Sequence, residues 1–266
     1  MLNLRKPLNN EGRLMKRKFM LVALMGLGTI FSTLSWAQPL AESGPTQVPL
    51  VEIFSSEGCS SCPPAEEWAS RLTQDSGLWR DFVPVIFHVD YWDYLGWKDG
   101  LSDGKFSEKQ RSYAESWRNG SVYTPGFVLN GKEWRDWYGH GPLASTGNKE
   151  TGNLFIEKTE KGVFKIIFDR QGSGRLPDAY KVHVALLAFG IVSDVKAGEN
   201  SGRRLIHDFA VVHYEEKNMD RTNEGRFEKE VSLTYPKDIA PKKWGIAVWV
   251  SGEQDLEPLQ AAGSYL

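Results

Sequence analysis

The chain has 266 residues, 12% of them aromatic and 25% charged, with a formal net charge of −2. Six of the 32 basic residues but only one of the 34 acidic residues fall in residues 1–37, so the remainder carries a formal charge of −7. That surplus argues against a nucleic-acid surface, which needs a basic face, and the length suits one large or two small domains.

The N-terminus reads as a signal peptide over residues 1–37. Lys16, Arg17 and Lys18 form a basic patch, an apolar run extends from Phe19 to about Phe31, and Ser35-Trp36-Ala37 is a small-x-small end. The run is shorter than the roughly 20 residues of a spanning helix. Met15 directly precedes the basic patch and is an alternative start. The expected location is periplasmic or secreted, with no membrane contact after cleavage.

From Val48 onward, strand and helix signals alternate. Val48–Phe54 and Val83–Val89 are short apolar runs rich in β-branched residues and read as buried strands. Pro63–Leu72 has two prolines and acids in its first turn, with Trp68 and Leu72 four apart, and reads as a helix. Ser107–Trp117 reads as an amphipathic helix. Thr124-Pro125 then leads into a hairpin whose turn is Asn130-Gly131, a pair that tolerates positive φ at both positions.

Gly139–Gly152 is rich in Gly, Ser and Thr and reads as a linker. Beyond it, Val163–Asp169, Tyr180–Phe189, Phe209–Tyr214, Phe227–Leu233 and Trp244–Val250 are strand-like, separated by turns such as Gly172-Ser173-Gly174. The expected domains are an α/β domain over residues 46–150 and a small all-β, sandwich-like domain over residues 151–266.

The only cysteines are Cys59 and Cys62, in "EGCSSCPP". A structural disulfide closing four residues would stabilise by only about 2 kcal/mol, against about 4–5 for a hundred-residue loop. A closed zinc site needs four ligands, and no further cysteine exists. A soft-metal carrier binding Cu(I) through the two sulfurs is the alternative reading. The favoured one is a redox dithiol. Cys59 follows a strand where a helix begins, and backbone N–H groups there stabilise a thiolate. On this reading Cys59 attacks and is partly exposed, whereas Cys62 is buried and resolves the mixed disulfide.

Three stretches carry a resemblance: "VEIFSSEGCSSCPPAEEW", "HVDYWDYLGWKD" and "VYTPGFVLNG", with "GENSGRRLIHDFAVV" matching more loosely. They resemble secreted thioredoxin-like proteins of unknown function from Gram-negative bacteria, chiefly over residues 48–131. The resemblance implies a thioredoxin-like domain with an extra all-β C-terminal part. It also implies a cis Pro125 beside the dithiol, with Thr124 and Pro125 shaping a groove for a bound polypeptide. The partners are then exported polypeptides or a redox partner protein.

His88 and Asp90 end the second strand and are candidates to tune the dithiol or to take the Cys62 proton. Tyr91, Trp92, Tyr94 and Trp97 pack the following loop or offer an apolar rim. Asn200, Arg203, Arg204 and His207 are expected to dock the β-half against the dithiol half. His140 reads as solvated, and His183 and His213 as strand residues. No organic cofactor is implied, since no glycine-rich phosphate loop stands out. The expected activity is thiol–disulfide exchange.

Overall fold

Short apolar segments become strands, in this chain far more than in the expected layout. The computed structural model describes residues 38–137, 149–171 and 177–266. The predicted signal peptide, His140 with most of the Gly-rich run, and the Gly172-Ser173-Gly174 turn lie outside these residues. The elements run β1 (Ala41–Glu42), β2 (Leu50–Ser55), α1 (Cys62–Arg71), β3 (Val83–His88), α2 (Gly104–Ser116), β4 (Gly126–Leu129) and β5 (Lys132–Glu133). They continue with β6 (Gly152–Glu160), β7 (Val163–Arg170), β8 (Tyr180–Phe189), β9 (Ile191–Asp194), β10 (Arg204–His207) and β11 (Ala210–Asn218). Last come β12 (Asp220–Arg221), β13 (Phe227–Ser232), β14 (Lys243–Gly252) and β15 (Pro258–Tyr265).

Local chemistry explains the dithiol end. Every residue of β2 and β3 is buried. Pro63 and Pro64 sit in the first turn of α1, where the missing N–H costs nothing. α2 starts earlier than expected because Asp103, not Ser107, caps it, accepting from the Lys105 amide at 3.0 Å. Asn130 (φ 49°) and Gly131 (φ 78°) make the hairpin turn between β4 and β5.

The expected fold class, a thioredoxin-like α/β domain followed by a small all-β domain, is overturned. The chain is mostly β-sheet. One eight-stranded mixed sheet runs β15-β14-β8-β11-β3-β2-β4-β5. The seam is a parallel pairing of β11 with β3, Ala210 opposite Ile86, and the Ile86 amide donates to the Phe209 carbonyl at 2.9 Å. Without β11, the edge of β3 would expose unpaired backbone groups. Strands from both sides of residue 150 thus share one sheet, and residues 38–266 form one compact unit.

The shared sheet is covered on both faces. Tyr180, Val182, Val184 and Leu186 of β8 pack with Leu154, Ile156, Phe164 and Phe168 of a second sheet, ordered β1-β6-β7-β13-β12. The alternate residues Ala185, Leu187 and Phe189 join the core that includes Phe87, Phe106 and Trp249. Burial on both faces is why β8 reads as a continuous apolar run. α1 and α2 lie on opposite faces: Ser55 of β2 bonds Glu66 of α1, whereas its neighbour-but-two Glu52 bonds Tyr113 of α2. Side chains an odd number apart on a strand point to opposite faces.

Candidate functional site

The two cysteines stand at the junction of β2 and α1. Ser61 is the residue before the helix and Cys62 its first residue, so Cys59 lies just outside the N-terminus. The Cys62 amide donates to the Cys59 carbonyl at 3.2 Å. The Cys59 sulfur lies 3.2 Å from Ser61 Oγ and 3.6 Å from the Thr124 carbonyl. Trp92 Nε1 donates to Thr124 Oγ1 at 2.8 Å and holds that side chain beside the dithiol.

These donors pull the Cys59 thiol down to about 6. The Cys62 thiol bonding its sulfur acts first; burial opposes, and the Ser61 and Thr124 hydroxyls add to the lowering. Cys62 is pushed well above the ordinary thiol range by its burial, by the bond it donates to Cys59 and by the Cys59 and Glu66 charges. Both are buried, Cys59 only 1% exposed and Cys62 0%. The expected partial exposure of Cys59 is therefore a correction. Asn200 Nδ2 donates to the Glu57 and Cys59 carbonyls at 2.8 Å each, and Glu199 accepts the Ser60 amide at 2.8 Å. This loop before β10 closes over the turn from the far half of the chain.

Thr124-Pro125 is a cis peptide and touches the dithiol through Thr124. Pro125 also lines an aromatic pocket with Tyr123, Phe127, Trp134 and Arg135. The loop after β3 is anchored rather than free: Trp97 Nε1 donates to Glu57 at 2.6 Å and Tyr91 to Gln110 at 3.0 Å. Of the aromatic residues in that loop, Tyr94 is the exposed one, at 78%. Gly58 fits tightly beneath it, since a Cβ there would stand 2.8 Å from Trp92 Cβ.

Under the dithiol lies a buried network. His88 Nδ1 pairs with Asp99 at 2.7 Å; His207 pairs with Glu66 through Nδ1 at 2.5 Å and with Glu57 through Nε2 at 3.0 Å. Burial opposes a charge on His207, but the Glu66 and Glu57 carboxylates outweigh it and raise the imidazole to about 10. Burial likewise works against the Glu66 carboxylate, and His207 and His88 overcome it. His88 therefore sits below the cysteines as part of this network. Asp90 does not reach the dithiol in any described bond; it accepts from Ser107 Oγ at 2.5 Å and ties β3 to α2. Sequence reasoning missed Glu57, Glu66 and Asp99. The signal for Glu66 was its place one turn after Cys62, on the stripe shared with the buried Ala65 and Ala69.

No curated protein matches the chain. Among solved structures, it is similar to the crystal structure of protein AGR_C_4864 from Agrobacterium tumefaciens. The identity is 24% and the TM-score 0.52, over 83% of this chain and 94% of that one. It is also similar to HBP35 of Porphyromonas gingivalis, at 16% identity and a TM-score of 0.54, over 84% of this chain and 76% of that one. At these identities the likeness concerns the fold alone. Residues 50–251 match the family described as "Protein of unknown function (DUF1223)", and the chain belongs to that family.

Proposed function

We propose that the protein exchanges disulfides with exported polypeptides through Cys59 and Cys62. The observation that carries this reading is the placement of the two thiols: Cys59 lies just outside the N-terminus of α1 with Ser61 Oγ 3.2 Å from its sulfur, and Cys62 is buried as the first residue of the helix, an arrangement that lowers Cys59 to about 6 and raises Cys62. A thiolate at neutral pH is the attacking species in exchange, and a protonated neighbour waits to resolve it. A Cu(I) carrier needs both sulfurs as thiolates together, which the raised Cys62 disfavours.

The step runs as follows for a substrate disulfide. The Cys59 thiolate attacks one sulfur, the substrate S–S bond breaks, and the departing thiolate takes the Cys62 proton. The Cys62 thiolate then attacks the Cys59 sulfur, forming the Cys59–Cys62 disulfide and expelling the second substrate thiolate, which is protonated from solvent. The reverse sequence oxidises a substrate dithiol. The aromatic pocket beside Pro125 offers a place for a substrate side chain. The signal pattern of residues 1–37 supports a periplasmic or secreted site of action. Among the described residues, no helix is long and apolar enough to cross a membrane.

The test is a pair of single variants expressed with the N-terminal segment intact. Cys62→Ser is expected to accumulate mixed disulfides with exported proteins on non-reducing gels, because capture precedes resolution. Cys59→Ser is expected to form none. Equal adducts from both, or none from Cys62→Ser, would sink the exchange reading.

A further inference from the structure

The network below the dithiol contains a feature that exchange chemistry does not use. Each of its two imidazoles has one ring nitrogen committed to a carboxylate: His88 Nδ1 to Asp99 at 2.7 Å, and His207 Nε2 to Glu57 at 3.0 Å. The other ring nitrogen of each faces Glu66. His207 Nδ1 lies 2.5 Å from one Glu66 oxygen and His88 Nε2 lies 3.9 Å from the other. One donor atom each from Glu66, His88 and His207 fall within 4.8 Å of one another. His88 is fully buried, and its Nε2 has no hydrogen-bond partner among the described residues. A buried imidazole nitrogen left unpaired is costly.

The charge also points to a cation. Three buried carboxylates, Glu57, Glu66 and Asp99, converge on two imidazoles. No lysine or arginine of the described residues pairs with any of the three. Buried charge is tolerated when it is paired or coordinates a metal. Carboxylates that hold the outer nitrogen of a histidine while the inner nitrogen meets a metal are the usual second support of such sites. A cleft of about 390 Å³ between α1 and β10 is lined by Glu66 and His207 and gives a path from solvent.

We propose that Glu66, His88 Nε2 and His207 Nδ1 bind a divalent transition-metal ion of the zinc type, with Asp99 and Glu57 orienting the two imidazoles. Two imidazoles and a carboxylate suit zinc and leave a fourth position for water. Donor atoms around tetrahedral zinc, at bonds of about 2.0–2.2 Å, stand about 3.3–3.6 Å apart. His207 and Glu66 therefore draw back from each other by about 1 Å, and the proton they share leaves to solvent. No redox step is involved, and neither sulfur belongs to the cluster.

The experiment removes the sulfurs first, so that thiolate binding cannot mimic the site. The Cys59→Ser/Cys62→Ser protein is stripped with chelator and titrated with Co²⁺ and then Zn²⁺. One Co²⁺ per chain is expected, with visible bands of a four-coordinate nitrogen–oxygen site and no sulfur charge-transfer band, and zinc should displace it. In the same background, His88→Gln and His207→Gln should each weaken zinc binding by about 100-fold or more, and Asp99→Asn by about 10–100-fold. Far-UV circular dichroism monitors folding. Absence of the cobalt bands from the sulfur-free protein overturns the proposal, and so do bands unchanged by both histidine variants. Should the histidine variants fail to fold, the sulfur-free protein decides alone: stoichiometric nitrogen–oxygen bands support the site, and their absence removes it. Because no cysteine is present, failure of the exchange reading leaves this result untouched.

Discussion

At Cys59 the Cys62 thiol and the Ser61 and Thr124 hydroxyls favour the thiolate, and the consequence is a measurable titration. Alkylation of the reduced protein should show an early thiol with a midpoint near pH 6, assigned to Cys59, while Cys62 stays unreactive. A single midpoint near the free value of about 8.5 would contradict the geometry. The same residue makes stability depend on pH. Its folded value, about 6, lies below that of a free thiol, so the folded chain favours the thiolate. Its contribution is fully present above pH 9 and is lost as pH falls through 6. Under reducing conditions the melting temperature of the native protein should therefore gain more between pH 6 and 9 than that of Cys59→Ser. Equal gains would show that the thiolate is not stabilised by folding. The place of the two cysteines at a helix start was legible in the sequence because spacing and the following prolines are local facts. What holds their turn was not, because Glu199 and Asn200, about 140 positions away, bond its backbone.

Elements formed largely where local pattern placed them. β8 occupies Tyr180–Phe189, the apolar run read from the sequence, and the Asn130-Gly131 turn joins β4 to β5. β6 and β15 went unread. β15 contains Ala261, Ala262 and Gly263, small residues with weak strand preference, and is a strand because it pairs with β14 from Gly245 to Ser251. The turn itself can be tested. Gly131 has φ 78°, and a Cβ there would stand 2.8 Å from Glu257 Cα, a backbone atom that cannot swing aside. Gly131→Ala should cost about 1–3 kcal/mol in denaturant titration. An unchanged midpoint would mean that the hairpin does not pack on the Glu257 segment as described.

The eight-stranded sheet binds the whole of residues 38–266 into one unit. It predicts cooperative behaviour. Tryptophan fluorescence and far-UV circular dichroism should report coincident unfolding transitions, the mark of a two-state domain. A fragment of residues 38–150 should lack a cooperative transition, because it would expose the β3 edge and the apolar faces that β8, β11 and β14 cover. Two separated transitions, or a fragment that melts sharply, would restore the two-domain division. α2 adds a polar tie across the same sheet: Lys109 sits 3.1 Å from the buried Glu52 and about 5.3–5.7 Å from the centres of four aromatic rings, those of Phe87, Tyr113, Tyr214 and Trp249.

Residue order alone established the dithiol, the helix that follows it, the hairpin turn and the strand-rich second half, since capping, turn chemistry and hydrophobic period act over a few residues. It did not establish which strand lies beside which. Periodicity reports how many faces of a strand are buried, not what buries them, and a backbone edge accepts any extended partner. The pairing of Ala210 with Ile86 was settled only by the closing of the sheet across a separation of 124 positions. That closing also carried His207 to Glu57 and Glu66, and so assembled from distant segments a buried charged site that no stretch of the chain displays by itself.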